Sequence, residues 1–336
     1  MPADYIITGA ASPLGRHILE KLMARQCRIV GIDSPDSAAG AEPGFPLVTA
    51  DVRDSQALRD VFRAEAREYT VVIHAAERMN FSAEPDREMF AINYGGTKNV
   101  LDACMQQPVR RLVYVGSALT LPAPANGGFV REDTDGNRAL PGDAYAKSKA
   151  AAGEAVAEAL SQGLDCVTVH PSTLIGCGAE GSLLDQLLCG LTRGSVRFGV
   201  TGGTDMADVR DVAQGVVLAA DKGICGRSYI LSGRFVTMRE LYDIVRREGS
   251  RVPRLFLPYA AAKALARLVR EWDGERPLFN EGTLSLLHRG THYSHERAAR
   301  ELGYAPHQTR GCIADAVQQY RPAPARVCLP PAAAQA

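Results

Sequence analysis

Short apolar runs alternate with amphipathic stretches through the first half of the chain. The runs are bounded by polar or turn-forming residues, which is typical of buried strands. They predict strands at Tyr5–Thr8, Arg28–Ile32, Pro46–Ala50, Val71–His74, Arg111–Val115 and Asp165–His170. Between them, apolar residues recur at helical spacing and predict helices at about 14–26, 55–68, 86–107 and 143–162. This alternation predicts an α/β fold, a doubly wound parallel sheet with helices on both faces.

The second half of the chain is less regular and predicts a smaller, mostly helical region that also completes the sheet. The predicted elements are helices at Leu183–Leu191 and Asp208–Ala220, a strand at Ser228–Leu231, and helices at about 238–248, 258–271, 294–302 and 311–320. We expect a sheet domain over 1–171, completed by about 205–233. A substrate-binding region covers 172–204 and 234–321, and the Pro- and Ala-rich tail 322–336 is expected to be disordered.

Composition and charge narrow the kinds of protein that fit. The chain has 336 residues, of which 46% are hydrophobic and 23% charged, as expected of a globular protein with a sizeable core. Lys plus Arg equal Asp plus Glu at 38 each, so no net charge attracts nucleic acid. No apolar run is long enough for a membrane span, and we expect no signal peptide because the N-terminus enters a strand directly.

Cysteine usage points to a reducing compartment. Eight cysteines are scattered along the chain without a Cys-x-x-Cys pair or a cluster that would supply zinc ligands. Scattered single cysteines are typical of reduced thiols that fill the core of cytoplasmic proteins. We therefore expect a cytoplasmic protein with no metal and no nucleic-acid partner.

The segment Thr8–Gly15 follows the first predicted strand and opens the first predicted helix. Small residues at this place let backbone N–H groups approach a pyrophosphate at the helix N-terminus. We expect Gly9 to make the turn and Gly15 to let the helix pack closely on the strand. Ser12 replaces the middle glycine of the usual motif, and its hydroxyl can donate to a phosphate. Taken alone, the motif also fits an ordinary strand–helix turn.

Acidic residues at the ends of the next two strands strengthen the interpretation as a nucleotide site. Asp33 ends the second strand, where a carboxylate accepts hydrogen bonds from the adenosine ribose. The same charge repels a 2′-phosphate and no Arg stands beside it, so NAD is favoured over NADP. Asp51 follows the third strand and can accept from the adenine amino group. Residues 1–171 are therefore predicted to form an NAD-binding Rossmann domain.

Tyr145 and Lys149 share one face of the predicted helix that begins near residue 143. A cation beside a phenol favours the phenolate and lowers its pKa from about 10, so that Tyr145 can exchange a proton with an alcohol or a carbonyl. Ser117 follows the strand Arg111–Val115 and can hydrogen-bond the same substrate oxygen. Tyr and Lys at this spacing are common on helix surfaces. Their place downstream of the loop and the serine is what indicates catalysis.

These motifs together resemble those of the extended short-chain dehydrogenases/reductases. That family includes NAD-dependent epimerases, dihydroflavonol reductases and 3β-hydroxysteroid dehydrogenases. The resemblance runs from about residue 4 to about residue 321, and it is much less specific for the substrate than for the family. The matching segments are Gly9–Gly15, Asp33, Asp51-Val52, His74-Ala75-Ala76, Asn93, Ser117, Tyr145, Lys149, His170-Pro171-Ser172, Asp208–Ala213 and Ser294–Tyr304.

The resemblance implies a role for each matching residue. Tyr145 is the acid/base, Lys149 lowers its pKa and binds the nicotinamide ribose, and Ser117 orients the substrate oxygen. Asn93 supports a water that relays protons. The residues implied to bind the cofactor, besides Tyr145 and Lys149, are Gly9, Ser12, Pro13, Leu14, Gly15, Asp33, Asp51, Val52, Ala75, Ala76, Pro171 and Ser172.

Two further features concern structure rather than chemistry. His74 and His170 end buried strands, where a histidine is more often a satisfied core residue than a catalytic one. Members of the family often pair through the helices near 86–107 and 143–162, so the resemblance also implies a homodimer.

Three absences narrow the reaction within the family. Sugar 4,6-dehydratases carry an Asp-Glu pair after the catalytic hydroxyl residue, whereas here Ala118-Leu119 follow Ser117. Many nucleotide-sugar epimerases place an Arg just before the position of Asp205, where it binds the diphosphate, and this chain has Gly203-Thr204 there. Those epimerases also carry an Asn soon after the sixth strand, where this chain has Gly176–Glu180.

Apolar segments favour a substrate that is itself apolar. Leu255–Tyr259 and Leu278-Phe279 either wall a hydrophobic cleft or fill the core, while His170–Gly176 and Tyr229–Gly233 are most similar to the hydroxysteroid and dihydroflavonol branch. We therefore expect an oxidoreductase that interconverts a secondary alcohol and a ketone on an apolar ring, with a 3β-hydroxysteroid as the leading substrate. The alternatives are a nucleotide-sugar epimerase, a dihydroflavonol-type reductase, whose usual NADP fits Asp33 less well, and an NAD-sensing scaffold.

Overall fold

A seven-stranded parallel sheet forms the centre of the molecule. The structure, a computed structural model, describes residues 4–38, 46–81, 86–124, 128–134, 144–176, 182–273 and 279–320. Its strands are β1 (Tyr5–Thr8), β2 (Ile29–Asp33), β3 (Leu47–Thr49), β4 (Val71–His74), β5 (Arg111–Val115), β6 (Cys166–Pro171), β7 (Thr173–Ile175), β8 (Gly199–Val200), β9 (Gly203–Asp208), β10 (Ser228–Leu231), β11 (Arg234–Thr237) and β12 (Phe256–Leu257). The central sheet has the order β10-β6-β5-β4-β1-β2-β3, and its neighbouring strands are all parallel.

Helices cover both faces of this sheet, which confirms the predicted doubly wound fold. They are α1 (Pro13–Met23), α2 (Pro35–Ala38), α3 (Ser55–Glu65), α4 (Arg87–Phe90), α5 (Thr97–Gln106), α6 (Ala144–Ser161), α7 (Leu183–Arg193), α8 (Val209–Lys222), α9 (Met238–Arg247), α10 (Tyr259–Asp273), α11 (Glu281–Arg289), α12 (Glu296–Leu302) and α13 (Thr309–Gln319). The apolar stripes of α1, α8 and α12 pack into a core on one face. Those of α3, α5 and α6 pack into a second core on the other face.

The strand order changes direction between β1 and β4. Successive strands run one way from β1 to β3 and the other way from β4 through β6 to β10. In an open parallel sheet, such a switch point opens a crevice at the carboxyl ends of the strands, and ligands bind there. Gly9 and Ala75 directly follow β1 and β4, so the glycine loop and the His74-Ala75-Ala76 segment both border this crevice.

The helix predicted at 86–107 is interrupted by a π-helical turn at Ala91–Gly96, between α4 and α5. One cause is visible in the side-chain bonds of this turn. Thr97 Oγ1 donates to the carbonyl oxygen of Asn93 at 2.5 Å and so competes with the backbone for that acceptor. Turns of this kind are frequent at functional sites, and this one contains Asn93.

The second region is mostly helical, as predicted, and it also contains two small sheets. Strands β11, β9 and β7 form a three-stranded sheet, and β12 pairs with β8. The central strand β9, Gly203–Asp208, is buried throughout although half of its residues are polar. Its polar groups are satisfied locally, since Thr204 pairs with Thr173 at 2.9 Å and Asp205 accepts from the backbone of Gly233 at 3.2 Å. A polar buried strand gives no apolar pattern, and the sequence therefore did not reveal it.

Three further expectations concern the whole chain. No helix within the described residues is long and apolar enough to cross a membrane. The predicted disordered tail, 322–336, lies outside the described residues, as do Cys177–Glu180 and Leu278. The division into a domain over 1–171 and a substrate-binding region stays a prediction, although β10 joins the central sheet as that division requires.

Candidate active site

The loop between β1 and α1 has the shape of a phosphate cradle. Gly9 has a φ of +72°, and a Cβ atom there would lie 2.5 Å from the backbone nitrogen of Ala76. A Cβ atom on Gly15 would lie 2.0 Å from the carbonyl oxygen of Gly9. Both positions therefore require glycine, and the loop brings the start of α1 against the end of β1. Pro13 and Leu14 form the first turn of α1.

Ser12 has a structural role in this loop. Its hydroxyl donates to the carbonyl oxygen of Gly9 at 2.7 Å and accepts from the backbone nitrogen of Gly15 at 3.1 Å. It is therefore the N-cap of α1. The hydroxyl hydrogen is thus used within the loop, and the donation to a phosphate stays a prediction.

The two acidic residues expected at the adenosine end differ in their surroundings. Asp33 accepts hydrogen bonds from the backbone nitrogens of Ala11 and Ser34, both at 2.8 Å, and burial raises its pKa. Its carboxylate thus lies directly against the glycine loop, where the adenosine ribose of the cofactor is expected to bind. Asp51 is instead held by the Arg53 guanidinium, whose hydrogen bonds lower the pKa of that carboxyl. Its predicted contact with adenine stays a prediction.

The predicted catalytic residues come together at the carboxyl edge of the sheet. Tyr145 and Lys149 are buried on the first turns of α6, with 4% and 3% of their surfaces exposed. Ser117 follows β5, and its hydroxyl is close enough to Tyr145 to lower the pKa of the phenol by a hydrogen bond. Lys149 Nζ donates to the carbonyl oxygen of Val115 at 2.7 Å and lies 5.0 Å from the centre of the Tyr114 ring.

A carboxylate that the sequence reasoning missed stands between the two catalytic side chains. Glu77 Oε2 accepts a hydrogen bond from Tyr145 Oη at 2.9 Å, and the same oxygen lies 3.1 Å from Lys149 Nζ. The Glu77 side chain is 28% exposed, whereas that of Lys149 is 3% exposed. The only sequence signal for Glu77 is its place soon after β4, at the edge where ligands bind.

This carboxylate changes the electrostatics that the Tyr–Lys spacing predicted. Burial first, and then the charge and hydrogen bond of Glu77, raise the pKa of Tyr145 well above its usual value. Lys149 is paired with Glu77 in this arrangement, and the lowering of the Tyr145 pKa by Lys149 stays a prediction. Burial lowers the pKa of Lys149, but Tyr114 and Glu77 outweigh it and the net shift is upward.

Asn93 holds the segment that carries Glu77. Its Oδ1 accepts from the backbone nitrogen of Arg78 at 2.8 Å, and its Nδ2 donates to the carbonyl oxygen of Arg78 at 3.0 Å. The same Nδ2 donates to Ser148 Oγ on α6 at 2.9 Å. Asn93 is 1% exposed and so connects the π-helical turn, the loop after β4 and α6. The predicted relay water stays a prediction.

The two histidines have the surroundings of structural residues. His74 is fully enclosed, with one ring nitrogen 2.6 Å from Thr8 Oγ1 and the other 2.9 Å from Thr97 Oγ1. Burial, together with the charge of Lys149, lowers the pKa of His74 to about 3. His170 Nδ1 lies 3.2 Å from the carbonyl oxygen of Ser117. Both are supported as core histidines, as predicted.

A cleft opens in front of Tyr145. Its described lining contains no Arg or Lys and is largely apolar. The apolar residues that line it are Leu14, Met79, Phe81, Val115, Ala118, Leu119, Pro171, Leu174 and Leu286, and the polar ones are Glu77, Ser117, Tyr145, Ser172, Thr173, Ser182 and Tyr293. Phe256, Leu257, Tyr259 and Phe279 pack on the core of the second region instead, so the core alternative is the correct one for them.

A family match covers the central sheet as far as its last strand, β10. Residues 5–232 match the model of the NAD dependent epimerase/dehydratase family. This chain belongs to that family. It is thus an extended short-chain dehydrogenase/reductase, the resemblance is confirmed, and its cofactor is NAD.

Members of the family with full-length similarity include enzymes of sterol chemistry. The "Sterol demethylase protein B" of Methylococcus capsulatus is 28% identical over 325 residues, which cover 94% of this chain and 98% of that protein. A "3 beta-hydroxysteroid dehydrogenase/Delta 5-->4-isomerase" of Mycobacterium tuberculosis is 24% identical, covering 90% of this chain and 85% of that one. The crystal structure of gox2253 superposes with a TM-score of 0.78 at 25% identity, covering 94% of this chain and 97% of that chain.

The residues present fit the family cofactor. The loop at Gly9 and Gly15 admits no side chain, because a Cβ atom at either glycine would collide with backbone, and Asp33 places its carboxylate beside this loop. At the other end, the Ser172 hydroxyl lines the cleft and is buried, yet it has no partner at hydrogen-bond distance among the described residues. A buried hydroxyl without a partner is costly, and a polar group of a ligand would satisfy it. Pro171 lines the cleft next to it.

The remaining implied cofactor residues of the family border the same crevice. Ala75 is buried directly after β4, and Ala76 lies against the loop at Gly9. Val52 is buried after β3. The structure therefore brings every predicted site residue to the carboxyl edge of the sheet or to the helices that face it. Their individual contacts with NAD stay predictions.

Proposed function

We propose that this protein interconverts a secondary alcohol and a ketone on an apolar ring substrate, with a 3β-hydroxysteroid as the best candidate. The observation that carries the proposal is the largely apolar cleft that ends at Tyr145 and Ser117. An apolar wall that converges on two hydroxyl groups suits a ligand with an apolar body and one reacting oxygen. Glu77 is the sole charged side chain in the described lining.

The place that should hold the diphosphate of a sugar nucleotide is neutral. Thr204 occupies the position at which many epimerases carry an Arg, and it is 4% exposed. Its hydroxyl pairs with that of Thr173, a cleft residue, at 2.9 Å. A diphosphate in this cleft would lack a charge-assisted hydrogen bond from either residue. This favours an apolar substrate over a nucleotide sugar.

The similarity to enzymes of sterol chemistry supports the same proposal. The two relatives described above have printed names that refer to a sterol and to a 3β-hydroxysteroid, and this chain covers most of the length of both. Identities below 30% leave the substrate itself to be tested. The six described cysteines are free thiols, which supports a reducing, cytoplasmic location. The predicted homodimer stays a prediction.

The side chains at the cleft define how the proton moves. NAD held beside the Gly9–Gly15 loop would supply the hydride chemistry at the carbinol carbon. In oxidation, the alcohol proton passes to the oxygen of Tyr145. In reduction, the Tyr145 hydroxyl gives that proton to the carbonyl oxygen. Ser117 holds the same oxygen by a hydrogen bond, and Leu119 and Leu174 keep the apolar part of the substrate beside it.

A substrate panel tests the proposal. The purified protein is incubated with NAD and 3β-hydroxysteroids, 3α-hydroxysteroids, a dihydroflavonol or UDP-sugars, and NADH formation and product identity are followed. We expect NADH and a 3-ketosteroid from the 3β-alcohols, and little product from their 3α epimers. Epimerised UDP-sugar without net NADH would overturn the proposal in favour of the epimerase alternative. NAD binding without turnover of any compound would favour the scaffold.

A further inference from the structure

Glu77 is the one charged group in the described cleft lining, and neither the substrate nor the hydride requires it there. One oxygen of its carboxylate contacts both Tyr145 Oη, at 2.9 Å, and Lys149 Nζ, at 3.1 Å. The Tyr145 hydroxyl donates this hydrogen bond, so its proton points to Glu77. A donor that is held in this way is a phenol and not a phenolate.

The position of Glu77 is fixed by its neighbours. Asn93 binds both backbone groups of Arg78, the next residue along the chain, at 2.8 and 3.0 Å. Phe81 packs edge-on against the Tyr145 ring, with ring centres 5.6 Å apart. The carboxylate thus reaches Tyr145 from a loop that is held at its backbone on one side and packed against the phenol ring on the other.

Four groups face the Tyr145 hydroxyl from the elements packed around it. Glu77 comes from the loop after β4, Tyr114 from β5, Ser117 from the end of β5 and Lys149 from the same helix, α6. Burial raises the pKa of Tyr145 most, Glu77 and Tyr114 raise it further, and Ser117 lowers it. Lys149 is the cation that would oppose Glu77, but Glu77 itself pairs with that ammonium.

We infer that Glu77 is a positioning residue of the catalytic centre, which holds the Tyr145 hydroxyl protonated and binds the Lys149 ammonium. Tyr145 therefore changes from proton donor to proton acceptor at a more alkaline pH than it would without Glu77. The inference rests on the oxidoreductase function proposed above. Alcohol oxidation needs the phenolate of Tyr145, and carbonyl reduction needs the phenol. The midpoint of both pH profiles is therefore set by the charge at Glu77 together with the burial of the phenol.

The substitution Glu77→Gln tests this, because it keeps a hydrogen-bond acceptor and removes the charge. We expect the midpoint of kcat/KM for alcohol oxidation to move to lower pH by about one unit or more, the usual effect of a close charge. Below both midpoints, E77Q should then hold roughly tenfold more phenolate than the wild type. Glu154→Gln is the matched control, because Glu154 is an exposed carboxylate on the same helix and its loss should leave the midpoint unchanged.

A second measurement works without a substrate. The ultraviolet absorbance of tyrosinate is titrated in the wild type and in E77Q, and each curve is corrected with the same protein carrying Tyr145→Phe. The Tyr145 transition should occur at lower pH in E77Q. An unshifted transition, or a pH profile that is merely scaled down in E77Q, would overturn the inference. If the wild type oxidises no alcohol on the panel, the proposed function fails while this titration still decides the role of Glu77.

Discussion

Asn93 forms hydrogen bonds to the backbone nitrogen and the backbone oxygen of Arg78 through the two polar atoms of its side-chain amide. Oδ1 accepts from the Arg78 nitrogen at 2.8 Å, and Nδ2 donates to the Arg78 oxygen at 3.0 Å. This pairing ties the π-helical turn to the loop that brings Glu77 to Tyr145. In the family, an asparagine at this place is associated with a relay water. In this chain, its side chain has a positioning role that the structure shows directly.

Replacing Asn93 with Ala should therefore loosen the active-site loop as well as the fold. The substitution leaves the half-buried amide and carbonyl of Arg78 without these partners, which costs about 1–3 kcal/mol for each group that water cannot reach. We expect a lower free energy of unfolding in urea and a fall in kcat that exceeds the loss of NADH affinity.

Asn99 supplies the control for this substitution. It lies on the neighbouring helix α5 and also bonds to backbone, donating to the carbonyl oxygen of Val52 at 2.9 Å. Asn99→Ala should lower stability without a comparable fall in kcat. Equal losses of kcat in both variants would show that Asn93 acts only through stability.

Tyr145→Phe separates cofactor binding from proton transfer. The phenol ring and its contact with Phe81 stay, while the hydroxyl that serves substrate and Glu77 is removed. We expect NADH binding, followed by fluorescence, to change little, and kcat to fall by about 100- to 10,000-fold, the usual contribution of a general acid/base. Turnover that survives the substitution would remove Tyr145 from the mechanism.

Much of the fold could be predicted because its signals are local. Val71–His74 and Arg111–Val115 are continuous apolar runs, and runs of this kind give every strand of the central sheet. Strand β9 gives no such run, since its Thr and Asp side chains are satisfied by β7 and by the turn before β11. The π-helical turn was equally hidden, because it depends on contacts of Asn93 and Thr97 rather than on periodicity.

In the candidate site too, local sequence patterns reveal some residues, whereas others become apparent only from contacts in the folded chain. Gly9, Gly15 and Asp33 follow from spacing alone, because a tight turn and a ribose acceptor occupy fixed places after the first two strands. Glu77 does not, because its importance arises from a distance of 2.9 Å to a residue that is far away along the chain. Burial of the phenol, and then the charge and hydrogen bond of Glu77, raise the pKa of Tyr145, and no pairwise spacing rule could reveal either cause.

Gly15→Ala should abolish NAD binding through the shape of the loop. The new Cβ would lie 2.0 Å from the carbonyl oxygen of Gly9, so α1 must move away from β1. Gly153→Ala on α6 is the control, because a Cβ there meets nothing within 4 Å and Ala is favoured over Gly in a helix by roughly 0.5–1 kcal/mol. Calorimetric titration with NADH should show lost binding only for Gly15→Ala, and intact binding would contradict the phosphate cradle.

Asp33→Ser should relax the choice between NAD and NADP. The carboxylate lies against the glycine loop at 2.8 Å from the Ala11 nitrogen, where its charge repels a 2′-phosphate. We expect the ratio of kcat/KM for NADP to that for NAD to rise by about tenfold or more, equivalent to about 1.4 kcal/mol. Asp60→Ser removes an exposed carboxylate of α3 and should leave the ratio unchanged. An unchanged ratio in Asp33→Ser would place the ribose elsewhere.

His74 should make the protein less stable in acid. Its pKa is lowered from 6.5 to about 3 in the folded state, so the native ring stays neutral while the unfolded chain takes up a proton. The unfolded state therefore binds more protons throughout this window, and stability is lost as the pH falls from about 6.5 towards about 3. Between about pH 7.5 and about pH 5.5, His74 alone should remove about 1.4 kcal/mol from the free energy of unfolding. Urea unfolding of the wild type and of His74→Gln at both pH values measures this, because Gln cannot titrate. If the two proteins lose the same free energy between these pH values, His74 is not the buried neutral histidine of this fold.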